Sequence, residues 1–180
     1  KGDEVIVPSH TTMPTIEPIL NLGAKPVFVD ILEDTYVLNP KEVEKAVTEK
    51  TKAVLAVHLY GNSADLNSLK EICDRKKIHL IEDCAQAHGT KYNGKHVGTF
   101  GIAGCFSFYA TKNITCGEGG AVSTNDPELL DKMKSLRLHG MSYDAINRYQ
   151  AKTFKQYDVP ELGYKYNMFD IQASLLIGQL

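Results

Sequence analysis

The chain has 180 residues, 43% hydrophobic and 23% charged, with a net charge of −2. That supplies a core for one globular domain or part of a larger one, and leaves no electrostatic footprint for nucleic acid. No apolar run approaches a membrane span, and no signal peptide is read at the start of the given sequence.

The elements follow in chain order. EVIVPS reads as a short buried strand and TMPTIEPILNLG as a helix closed by Gly23. KPVFVDI is a second strand. NPKEVEKAVTEKT is an amphipathic helix with Asn39 as cap and Pro40 at its first position. KAVLAVHLYG is β-branched and aromatic enough for a third strand, and DLNSLKEICDRKKI is a helix capped by Asp65. HLIEDCAQAHG is a strand whose tip turns polar, followed by a turn-rich link, YNGKHVGTFG. IAGCFSFYA and GGAVSTN are two further strands. DPELLDKMKSLRLHG is a helix that Asp126 caps and Gly140 ends. Residues 141 to 166 are polar and Tyr-rich, the pattern of a long surface loop. The chain starts almost inside a strand, without an initiator Met, and stops in an apolar helical pattern, DIQASLLIGQL. It is expected to be a piece of something longer.

Strands alternating with helices predict an α/β layered sheet, mostly parallel. In such sheets polar chemistry gathers at the carboxyl ends of the strands, which here are EDCAQAHG and SFYATK. The cysteines, Cys73, Cys84, Cys105 and Cys116, contain no CxxC pair and no usual zinc spacing. Reduced thiols, no metal and a cytoplasmic location are the expectation.

Lys112 is the only formally charged side chain between Val97 and Gly117. Either its stem snorkels to water, or the place calls for a desolvated amine, which is a nucleophile toward carbonyls. Pyridoxal phosphate (PLP) is the cofactor that uses such an amine. It needs a carboxylate at its ring nitrogen and groups for its phosphate. Asp83, at the end of HLIED, is the acid candidate; its alternative reading is a helix cap or a solvated strand end. Ser107 offers a hydroxyl, and CGEGG a loop that can approach a ligand closely. No GxxxxGK[ST] loop exists, nor a GxGxxG after a strand, which disfavours nucleotide hydrolases and Rossmann dehydrogenases.

GDEVIVPSHT, GAKPVFVDI, HLYG, IEDCAQAHG, FSFYATKNITCGEGG, LRLHG and LGYKYNMFDIQAS, in that order, resemble the DegT/StrS-type sugar aminotransferases. These are fold-type I PLP enzymes with the aspartate aminotransferase architecture, and the likeness runs through essentially the whole chain. It implies a three-layer α/β sandwich around a mainly parallel mixed sheet, the PLP-dependent transferase large domain. Residues 1–180 would be its central part, without the N-terminal phosphate-binding segment and the C-terminal small domain.

On that resemblance Lys112 carries PLP as a Schiff base and Asp83 meets the pyridine nitrogen. Gln86 contacts the ring hydroxyl, Ala85 packs under the ring, and Ser107 binds phosphate. Lys165 or Asn167, in GYKYN, reaches the neighbour's phosphate across a homodimer with a shared active site. Thr12 stands where relatives often place a stacking aromatic, so stacking is weaker or falls to His10. His58 and His88 are read as satisfying backbone groups or shaping the pocket, His139 as favourable with a helix dipole, and Arg148 as a solvated loop residue. The implied reaction moves an amino group, in most relatives from glutamate, to a nucleotide-linked keto-sugar. Sugar C4 and surface-polysaccharide synthesis are the expectation. The rivals are a sugar dehydratase of the same fold, which has histidine in place of the lysine, a non-catalytic relative, and an inactive fragment.

Overall fold

The computed structural model describes residues 1–141 and 158–180. Chain order is β1 (Glu4–Pro8), α1 (Met13–Asn21), β2 (Lys25–Val29), α2 (Pro40–Ala46) and β3 (Thr51–Val57). A 3-10 turn (Leu59–Gly61) precedes α3 (Leu66–Lys76) and β4 (His79–Asp83). Then come a small hairpin, β5 (Lys91–Tyr92) and β6 (Lys95–His96), and the strands β7 (Ala103–Ser107) and β8 (Gly120–Ser123). The helices α4 (Pro127–Leu136) and α5 (Asp170–Leu176) complete the series.

Six strands form one mixed sheet in the order β2-β1-β3-β4-β7-β8, parallel except for β8, which runs antiparallel to β7. Strand alternation sorts the apolar side chains to two faces. Ile6, Val54, Ala56 and Leu80 join Val43, Leu69 and Ile72 of α2 and α3 in the larger core, whereas Val7 packs with Ile16 and Ile19 of α1 in a smaller one. Helices on both faces cover the central strands, which explains why β1 and β3 are nearly continuous apolar runs, whereas the edge strands β2 and β8 leave Phe28 and Val122 exposed. Each fully buried aliphatic side chain contributes roughly 1.5–3 kcal/mol.

The helix starts are capped as expected. Asn39 accepts from the Lys41 N–H, Asp65 from Ser68 and Asp126 from both Glu128 and Leu129. The Asn93-Gly94 pair, both at positive φ, makes the two-residue turn of the β5–β6 hairpin. Two expectations are corrected. The α2 helix stops at Ala46 because Val47 is already extended. Gly140 does not end α4, which stops at Leu136 with Arg137 as cap. Instead His139 and Gly140, both at positive φ, reverse the chain. Leu138 can then pair antiparallel with Lys165, with Tyr164 exchanging backbone hydrogen bonds with Leu136 and His139. Part of the expected 141–166 loop is therefore docked; residues 142–157, with Arg148, lie outside the described residues.

Glu82 organises the carboxyl edge of the sheet. It is fully buried. Its Oε1 accepts from the Phe100 and Gly101 N–H groups at 2.8 Å each. Its Oε2 accepts from Gly98 N–H at 2.6 Å and lies 3.1 Å from His58 Nε2. The Nδ1 of His58 accepts the Ala64 N–H, so the proton sits on Nε2 and is donated to Glu82. Gly98 and Gly104 touch so closely that a Cβ on Gly104 would lie 2.3 Å from the Gly98 Cα, which keeps the 97–101 loop against β7.

Burial alone would raise the Glu82 pKa, but the His58 donor and then the backbone N–H groups of Gly101, Gly98 and Phe100 outweigh it and hold it below the usual 4.5. A carboxyl with a depressed folded pKa adds stability that is present above the unfolded value and lost as pH falls through the folded one. Glu82→Ala is expected to lower the unfolding free energy by at least about 3 kcal/mol, because four donors lose their acceptor at about 1–3 kcal/mol for each that stays unsatisfied. Urea titration at neutral pH measures this. A Glu82→Gln chain should show a shallower stability loss below pH 4.5 than wild type.

Candidate active site

The parallel strands β1, β3, β4 and β7 end on one edge of the sheet, and the residues singled out in the sequence follow those ends. Thr12 comes after β1, His58 after β3, Asp83, Ala85 and Gln86 at and after β4, and Ser107 and Lys112 at and after β7. The β4–β7 register pairs Asp83 with Cys105, two residues before Ser107. Neighbouring strands lie about 4.8 Å apart, so Asp83 and Ser107 open onto the same ground.

Asp83 is clamped on both oxygens. The Ala85 N–H donates to Oδ1 at 3.0 Å and the Thr15 hydroxyl to Oδ2 at 2.9 Å. Because Thr15 lies on α1, Asp83 faces the α1 side while Glu82 faces the α3 side, as strand alternation requires. The helix-cap reading of Asp83 is set aside: no helix starts after it. Each carboxylate oxygen retains acceptor capacity for a further donor.

Gln86 is oriented by its neighbour. Its Oε1 accepts the Tyr60 backbone N–H at 2.9 Å, an amide assignment that follows from the hydrogen-bond network. Its NH₂ is left as the outward-facing donor. Tyr60 reaches this position with a left-handed φ of 57°, a strained backbone of the kind that clusters at functional sites. The Tyr60 hydroxyl lies 3.1 Å from His10 Nε2, and His10, Tyr36 and Tyr60 form an exposed aromatic trio with ring centroids 6.0–6.5 Å apart. Tyr36 and Tyr60 carried no sequence signal of their own. Their positive φ values exist only in the folded chain.

Lys112 is half-buried, in a turn where its N–H donates to the Tyr109 carbonyl. Ser107 Oγ makes a long contact, 3.3 Å, with the Tyr109 N–H, so its hydroxyl is loosely engaged. His88 lies between Phe106 and Phe108, at centroid distances of 5.7 and 5.6 Å. Both of its ring nitrogens are shielded from solvent and have no hydrogen-bond partner among the described residues. Burial first, and the Lys112 charge second, push its pKa down, with the Ser107 backbone opposing. Of the two readings of His88, satisfying backbone groups or shaping the pocket, its place beside Phe106 and Phe108 agrees with the second, while His58 bonds a backbone N–H.

The remaining residues are placed as follows. Thr12 is exposed, occupies the α1 cap position and makes no side-chain cap bond. Lys165 and Asn167 are exposed and hydrogen-bonded to each other, on the segment paired with Leu138. His139 lies beyond the end of α4 and serves the chain reversal through its backbone. His58, Glu82 and Cys84 bring potential ligand atoms within 4.8 Å of one another. The hydrogen bonds already made by His58 and Glu82 occupy that trio, which reads as a structural network. Burial raises the Cys84 thiol far above its usual range, opposing the thiolate that a metal needs.

Comparison with known proteins follows the geometry. The profile of the DegT/DnrJ/EryC1/StrS aminotransferase family matches residues 1–180. The uncharacterized protein MJ1066 of Methanocaldococcus jannaschii is 49% identical over 178 residues, 99% of this chain and 46% of that protein. Helicobacter pylori PseC, an aminotransferase involved in the biosynthesis of pseudoaminic acid, superposes with a TM-score of 0.89 at 34% identity, over 98% of this chain and 45% of PseC. Spr1654 of Streptococcus pneumoniae in its PMP form gives a TM-score of 0.90 at 35% identity, over 99% and 50% of the two chains; the same protein is also known in a PLP form. The chain thus spans about half the length of these relatives.

The orphaned imidazole yields a direct test. Replacing a buried unsatisfied polar group by an apolar one of similar shape is neutral or stabilising. His88→Phe is expected to raise the unfolding free energy by up to about 1–3 kcal/mol, read as a higher denaturation midpoint at unchanged m-value. A loss of more than about 1 kcal/mol would show that the ring nitrogens are hydrogen-bonded in solution.

Proposed function

The chain belongs to the DegT/DnrJ/EryC1/StrS aminotransferase family, and from that premise we propose that it carries the central part of the large PLP-binding domain of a transaminase. The proposed reaction moves an amino group from an amino donor, glutamate in our reading, to a keto-sugar linked to a nucleotide. The ring position proposed is C4, and the product an amino sugar for cell-surface polysaccharide. We also propose a cytoplasmic homodimer whose active sites are shared, with Lys165 or Asn167 reaching the neighbour's phosphate.

The observation that carries the reading is the match of polarity along one sheet edge. Asp83 offers a clamped acceptor, Gln86 an amide whose oxygen is already occupied, Ser107 a loosely engaged hydroxyl and Lys112 an amine. PLP presents the complementary set: a protonated ring nitrogen, a ring oxygen, a phosphate and an aldehyde. The residues therefore fit the group. When bound, PLP supplies an electron sink for the bond that breaks at the substrate's Cα.

The chain's own residues do the rest. Asp83 accepts the ring N–H and keeps that nitrogen protonated, and Gln86 donates to the ring oxygen. Ser107 donates to phosphate and Ala85 lines the ring face. Lys112 would hold the cofactor at its aldehyde carbon through Nζ, with the aldehyde oxygen leaving as water, and its amine, when free, would be the base that takes the proton from the substrate's Cα. The presence of lysine at position 112 disfavours the dehydratase of the same fold. Thr12 supplies only a methyl and a hydroxyl toward the ring, so stacking is weak here or falls to His10.

The test is trapping. Borohydride reduction in the presence of PLP is expected to leave a pyridoxyl adduct on Lys112, found by mass spectrometry and absent in Lys112→Ala. With glutamate and a nucleotide-linked keto-sugar, that substitution should lower turnover by at least about 100-fold. An adduct only on a chain extended to the length of its relatives would assign phosphate binding to the added segments. No adduct on either would overturn the transaminase reading in favour of a non-catalytic relative.

A further inference from the structure

A threonine in the first turn of a helix usually caps it or bonds back to a backbone carbonyl. Thr15, only 7% exposed, does neither with its hydroxyl. It donates to Asp83 Oδ2 at 2.9 Å, across 68 residues of sequence. A hydroxyl has one proton to give. That proton is spent on Asp83, so the 2.8 Å contact between Thr11 and Thr15 must be donated by Thr11. The result is a one-way relay, Thr11 to Thr15 to Asp83. With the Ala85 N–H on the other oxygen, it leaves Asp83 no free rotation.

We infer that Thr15 is a positioning residue for the cofactor's ring nitrogen: its hydroxyl, oriented by Thr11, holds the Asp83 carboxylate in the attitude that accepts the ring N–H. The inference rests on the PLP reading above. It also explains how the start of α1 contributes despite offering no ring at Thr12. The segment acts through the carboxylate, from the α1 side of the sheet. A threonine that served only to fill the space beside Ile16 would need neither the relay nor the hydrogen bond to an acid. The methyl of Thr15 would suffice for packing, and valine would replace it.

The test compares two ligands on the full chain: PLP, and the analogue in which a C–H replaces the ring nitrogen. Equilibrium binding is followed by absorbance for wild type, Thr15→Val, Thr15→Ser and Thr11→Val, with thermal unfolding of each unliganded chain as a control. Thr15→Val is expected to weaken PLP binding about tenfold, equivalent to ~1.4 kcal/mol, and to leave binding of the nitrogen-free analogue unchanged. Thr15→Ser should restore PLP binding, and Thr11→Val should give a smaller loss of the same ligand selectivity. Equal weakening toward both ligands, or none toward either, overturns the inference and leaves the PLP reading standing. Wild type that binds neither ligand, both as this chain and when extended to the length of its relatives, overturns both. Should Thr15→Val fail to fold, an unselective loss in Thr11→Val also overturns the inference.

Discussion

A carboxylate without access to water must collect donors or be protonated, and Glu82 collects four of them from two separate stretches of chain, the end of β3 and the 97–101 loop. This one requirement disposes much of the site. It draws the 97–101 loop against the end of β4, and it turns His58 so that its other nitrogen meets Ala64. It also sets the phase of the strand: with Glu82 sealed on the α3 side, Asp83 must emerge on the α1 side, within reach of Thr15. The direction in which Asp83 faces is set by a neighbour that points the other way.

The same edge shows how polarity is written into a site by satisfying the unwanted half of each group. Gln86 could present either end of its amide; the Tyr60 N–H occupies the oxygen and leaves the donors. Asp83 could rotate; two donors hold it. The strained φ of Tyr60 is the cost of delivering that N–H, of order 1–3 kcal/mol. His88 is the exception, half-buried beside two phenylalanines, with no partner for either ring nitrogen among the described residues. In a site where neighbouring polar groups are engaged, an orphaned imidazole next to Lys112 is the least settled feature.

Away from the site, apolar exposure is concentrated at the end of the described chain. Ile171, Leu175, Ile177 and Leu180 on and after α5 are more than half exposed, as are Leu162 and Tyr166, while Leu176 is buried against Phe108 and Cys116. The α4 helix, although well capped, buries no residue fully. The core that supports the site lies on the β1–β4 side, under α1, α2 and α3.

Much of this was legible in the sequence because it is governed by local rules. Helix caps at Asn39, Asp65 and Asp126, the Asn93-Gly94 turn, the alternation that splits Glu82 from Asp83, and the strand–helix rhythm all act over a few residues. Lys112 was conspicuous because charge is rare in apolar surroundings. What escaped depends on partners far apart in the chain: the four-donor shell of Glu82, the reach of Thr15 across 68 residues to Asp83, the Tyr60 N–H on Gln86, and the isolation of His88. The chain reversal at His139 and Gly140 was missed because a helix end and a strand pairing look alike until Lys165 is brought beside Leu138. By itself the sequence determined the elements, their alternation and the candidate reactive amine. Only the tertiary structure decided which polar atoms are already spent and which are left facing the site, since a hydrogen bond between distant residues is set by the packing of the whole sheet.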